Sequence, residues 1–112
     1  VTAGEKAAQA AAARAMRIKT GCRARILAVV GETAQANIAQ AGVIYAAMRA
    51  DGVSAAEARG AVDLAEGDLK TAAMWTAWVN AMQTECRRAI AESDNPVWPE
   101  VPESVAEMAE RF

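Results

Sequence analysis

The chain has no histidine, two cysteines, and five aromatic side chains, three of them tryptophan. Without histidine it lacks the commonest general base and the commonest metal ligand at neutral pH. Cys22 and Cys86 lie far apart in sequence, and no Cys-x-x-Cys spacing is present to hold zinc or run dithiol chemistry. Neither a Gly-x-Gly-x-x-Gly stretch nor a Gly-Lys-Ser/Thr triplet occurs, so nucleotide chemistry has no support. Long apolar runs are missing too. Residues 26–48 carry one charge, Glu32, but Gly31, Thr33, Gln35, Asn37 and Gln40 interrupt them too often for a bilayer. A helix buried on two sides fits that composition, and no membrane insertion, secretory leader or anchor is expected. The first residue is Val1, which fits either a trimmed piece of a longer protein or a valine-coded start.

What is present is alanine. Apolar residues make up 54% of the 112 positions, many of them alanine, which favours helix but buries little area. One domain over 1–112 is expected, with a thin core and closely spaced helices, a condition that makes association with other chains attractive. The net charge of −2 argues against a general nucleic-acid binder. Its distribution is uneven. Lys6, Arg14, Arg17, Lys19, Arg23 and Arg25 outnumber Glu5 in residues 1–25, a local +5; Glu92, Asp94, Glu100, Glu103, Glu107 and Glu110 outnumber Arg111 in residues 92–112, a local −5. These ends attract each other within a chain or head to tail between chains, unless they are simply solvated faces. The basic arm lacks the interleaved aromatics that stack on bases, so nucleic acid is not expected as a partner.

Thr2-Ala3-Gly4-Glu5 reads as a capping box opening a long first helix over 1–51, closed by Asp51-Gly52. Gly21, Gly31 and Gly42 lie within it, and a bend near one of them is expected. Ile18, Cys22, Ile26, Val29, Val30, Thr33, Asn37, Ala41, Ile44, Tyr45 and Met48 recur at spacings of three and four as a core stripe. Ser54-Ala55-Ala56-Glu57 opens a second helix over 54–92 after a short connection, predicting an antiparallel neighbour. Glu66-Gly67-Asp68 either kinks it or breaks it, with Asp68 capping a further helix. From Leu69 the stripe resumes through Ala72, Trp75, Trp78, Val79, Met82, Cys86 and Ile90. Asn95-Pro96 ends the helix. Residues 93–112 then form a Trp/Pro tail, extended from Asn95 to Pro102 and docked by Trp98, followed by a short helix opened by Ser104-Val105-Ala106-Glu107 in which Val105, Met108 and Phe112 share a face. The expected architecture is all-α: an antiparallel helical hairpin or small bundle with an extended Pro/Trp segment and a short C-terminal helix.

Trp75, Trp78, Met82, Trp98, Tyr45 and Phe112 are the candidate packing or interface residues, because so few aromatics must dominate the buried area. Trp98 serves either as an internal plug or as part of a patch for another subunit. Cys22 and Cys86 are either buried thiols or, if the second helix returns beside the first, a disulfide. Asp63, Glu66 and Asp68 read as a solvated surface. No catalytic set and no metal or cofactor site is expected.

The helix carrying Trp75, Trp78 and Met82, then Cys86-Arg87-Arg88, an Asp-Asn-Pro turn and Trp98-Pro99-x-x-Pro102, resembles the C-terminal segment of tailed-bacteriophage tail-fibre and tail-fibre-assembly proteins. Cys22-Arg23-Ala24-Arg25-Ile26 with Ala34-Gln35-Ala36-Asn37 is similar to the helical ends of small tail proteins from phages of alphaproteobacteria. The resemblance implies a non-enzymatic virion tail or fibre component, made in the host cytoplasm. Its implied partners are itself, with a trimer suiting fibre symmetry, and other phage tail proteins, with no small-molecule substrate. The alternative it implies is a monomeric tail-fibre assembly chaperone that binds transiently. The β-rich, glycine-rich body of fibre shafts is absent.

Overall fold

The computed structural model describes residues 1–112 as five helices and no strand: α1 (Ala3–Val29), α2 (Glu32–Ala50), α3 (Ala55–Ala61), α4 (Asp68–Ala91) and α5 (Glu103–Arg111). Two helix starts follow local chemistry. Thr2 Oγ1 accepts from the Glu5 amide at 3.1 Å, and Ser54 Oγ accepts from the Glu57 amide at 3.2 Å, each satisfying a donor that the first turn leaves free. Three helix ends share another device. Gly52, Asp63 and Ser93 take the left-handed conformation just past α2, α3 and α4. The next amide then reaches back five residues: Val53 to Met48, Leu64 to Arg59 and Asp94 to Ala89, at 2.9–3.0 Å.

The first long helix is two helices. Val29 and Val30 are β-branched and Gly31 is a poor helix former, so the helix is weakest there. Val30 and Gly31 are extended, and Val30 is fully buried. The Gln35 amide donates to Gly31 O, and its side chain donates to Val30 O at 2.9 Å, tying the new helix to the break. The interruption also shifts the phase of the stripe. Ala34, Ile38 and Ala41 face inward in α2, whereas Thr33, Asn37 and Ile44 are exposed. Nor is α2 buried on two sides: Ala36, Ala39, Val43, Ala46 and Ala47 face outward, with Val43 70% exposed.

The second long helix is likewise divided into α3 and α4. Gly67, not Asp68, occupies the cap position of α4, in the left-handed conformation. Asp68 reaches back to accept from the Ala65 amide at 2.7 Å. It is not a solvated carboxylate: it is buried and paired with Arg111 from the end of α5, which supplies the charge that burial requires. Ser104 does not cap α5. Pro102 precedes the helix with its carbonyl already accepting from Val105, and the Ser104 hydroxyl turns to Met74 Sδ.

α1 and α4 run antiparallel and share the first core cluster, Ile18 and Cys22 against Trp78, Met82, Cys86 and Ala89. Beyond the break, Val30, Ala34 and Ile38 meet Val105 and Met108 in a second cluster that Ala72 and Trp75 of α4 also touch, and α5 itself lies against α4. α3 lies against α2. The result is a rod of 65 × 24 × 19 Å from which residues 1–13 project, every one exposed. No helix is long and apolar enough to cross a membrane.

Candidate protein-interaction site

Trp78 and Met82 are buried at the centre of the α1–α4 seam, and Trp75 is half-buried between the two core clusters. Trp98 is half-buried against the first cluster. Three contacts hold its segment. The Trp78 indole N–H donates to Pro99 O at 3.1 Å, the Val97 amide donates to Glu85 Oε2 at 2.7 Å, and the Arg25 guanidinium lies 5.1 Å above the Trp98 ring, within the range of cation–π attraction. Trp98 therefore sits on its own chain, and Trp78 is the donor that locates the tail. Tyr45 lies half-buried on α2, away from the tryptophans, and half-buried Phe112 packs on the second cluster beside Arg111.

A charge cluster absent from the candidate residues fastens the turn between α4 and the tail. Arg88 pairs with Glu85, Glu92 and Asp94 and donates to Asn95 O at 3.3 Å. The Arg88 hydrogen bond, followed by that from the Val97 amide, holds the Glu85 carboxyl at about 2, well below an ordinary 4.5. The Asn95 amide and then Arg88 lower Asp94 as well, and the three carboxylates, Glu85 first, push Arg88 further up. From the other side Arg14 donates to the carbonyls of Ala89 and Asp94. Arg14 thus reaches the acidic end through the Asp94 carbonyl, but no ion pair joins residues 1–25 to residues 92–112. The spacing Glu85-x-x-Arg88-x-x-x-Glu92 was the available signal for this cluster, since residues three and four apart are neighbours on a helix.

The other face of the α1–α4 pair is an open groove of about 840 Å³. Cys22, Ile26, Leu27, Val79 and Cys86 form its apolar floor, Gln35, Asn80 and Gln83 add amides, and Lys19, Arg23 and Arg87 bring cations. Arg23 is 3.7 Å from Glu32, both largely exposed, and Lys19 and Arg87 have no acidic partner. Trp75 also lines the groove, and its indole nitrogen is the one buried side-chain polar atom without a hydrogen-bond partner. Cys22 and Cys86 are free, buried and adjacent; burial first, and then Cys86, raises the Cys22 thiol above its ordinary 9.0. No group of three or more histidine, cysteine or carboxylate side chains could hold a metal.

No residue of the tail or α5 lines this groove, and helical geometry explains why. At 100° per residue, Thr76, Asn80, Gln83 and Arg87 lie on one side of α4, with the tail-binding Trp78 and Glu85 about 180° away. Lys19 and Arg23 are similarly opposed to Arg14 and Arg25 on α1. One face of the pair is closed by the tail and the other is left open. No family model, curated protein or solved structure matches this chain.

Proposed function

We propose that this chain is a non-enzymatic helical assembly module that works by packing against other protein chains, its setting being the tail or fibre of a phage-like particle. The observation that carries the first half is surface. The chain exposes 7202 Å² for a mass of 11.7 kDa, against about 5,900 Å² for a compact monomer of that mass. Its radius of gyration is 18.9 Å, against about 13 Å for a compact domain of this length. The excess of about 1,300 Å² is the order of what one specific protein interface buries. The projecting α1 arm, the outward face of α2 and the open groove all contribute to it.

The setting rests on the Trp75–Trp78–Met82 helix and the Trp98-Pro99-x-x-Pro102 tail, with their likeness to tail-fibre and fibre-assembly proteins. Quantitative mass spectrometry of purified particles and electron microscopy of particles made without the gene test it together. A structural subunit is present in fixed copy number, and its loss removes a tail feature. A chain required for assembly yet absent from finished particles is the transient chaperone instead. Intact, infective particles without the gene contradict both.

A further inference from the structure

Two sets of charges without ion-pair partners lie on opposite faces of the α1–α4–α5 assembly. On α5, Glu103, Glu107 and Glu110 recur at i, i+4 and i+7, forming an exposed row opposite the buried Val105 and Met108, and none makes an ion pair. On the far side of the α1–α4 pair, the groove presents Lys19 and Arg87 unpaired beside the Arg23–Glu32 pair, which also lines it. We infer that the groove is the docking site for α5 of a second copy of this chain, its glutamate row meeting the groove cations while Ala106 flanks the row over the apolar floor. This rests on the reading above, that the chain acts by association, and names the surfaces that do it.

Two physical points favour a second copy. The row and the unpaired groove cations, Lys19 and Arg87, are complementary in sign. The two surfaces also lie on opposite faces of one chain, so joining them is heterologous and propagates head to tail, giving a ring if the rotation closes and a filament if it does not. A chain whose two faces attract each other needs no other partner to form a repeating array. Screening by salt follows, because these charges are exposed.

Charge exchange tests the contact. One variant carries Lys19→Glu and Arg87→Glu, leaving the Arg23–Glu32 pair alone; the other carries Glu107→Lys and Glu110→Lys. All four positions are exposed, so circular dichroism and thermal unfolding should match the parent. By light scattering at low salt, the parent is expected to be multimeric and each variant monomeric, at 11.7 kDa. An equimolar mixture should reassociate, since each reversed surface meets its complement on the other variant, and 0.5 M salt should dissociate both samples. A parent that is multimeric while both variants stay multimeric places the interface elsewhere and overturns this inference, with association itself intact. Monomeric variants that fail to recover on mixing overturn it too, as does a parent that stays monomeric at the highest concentration.

Discussion

Met82 is 1% exposed between α1 and α4, so Met82→Ala leaves a cavity that the helices cannot readily close. We expect a loss of about 3 kcal/mol, read as a lower urea midpoint at unchanged slope; an unchanged midpoint would remove Met82 from the core. Gly52 sits at φ 86 with open space around its Cα, so the cost of Gly52→Ala is conformational, about 1 kcal/mol. The same comparison at Asp63, at φ 55, predicts the opposite sign: Asp63→Gly should raise the melting temperature by a few degrees. Glu85 contributes to the pH dependence, alongside Asp94, which is lowered too. The folded Glu85 carboxyl titrates at about 2 against an ordinary 4.5, so its contribution is complete above pH 4.5 and is lost as the pH falls toward 2. The stability difference between the parent and Glu85→Gln, measured by urea titration, should therefore shrink across that window. A difference undiminished at pH 2 would contradict the Arg88–Glu85–Val97 arrangement.

At the scale of elements, all-α architecture and the pairing of the first helix with the Leu69–Ile90 segment were legible from three- and four-residue spacing and from the Thr2 and Ser54 caps. The phase of α2 was not. A stripe drawn straight through Gly31 assigns Thr33 and Asn37 to the core, whereas two extended residues at Val30-Gly31 rotate the next helix and bring Ala34 and Ile38 inward. The burial of Asp68 was hidden for a different reason. It depends on Arg111, 43 positions later, a tertiary contact that no local pattern encodes. Of the candidate site, the tryptophans could be picked out by rarity. Which of them holds the tail, through Trp78 and Pro99 O, depends on the tail running back along α4, from Val97 at Glu85 to Pro99 at Trp78. The groove was invisible because it is defined by what does not cover it. At this scale α1 makes a clear prediction: residues 1–12 are all exposed and belong to no core cluster, so deleting them should change unfolding free energy by no more than about 0.5 kcal/mol. A larger loss would mean that the arm packs in solution.

The whole molecule is a rod with two modest cores and a projecting helix, and an alanine-rich composition is the root of that shape. Small side chains bury little area per residue, so 15 of 112 residues are buried and large apolar side chains such as Met16, Val43 and Val97 stay exposed. The first measurement to make is the mass of the purified chain by light scattering, from micromolar to millimolar concentration at low salt. Association through these surfaces predicts a mass that rises with concentration to a multiple of 11.7 kDa. A mass fixed at the single-chain value throughout would contradict the account of this protein as a self-assembling module.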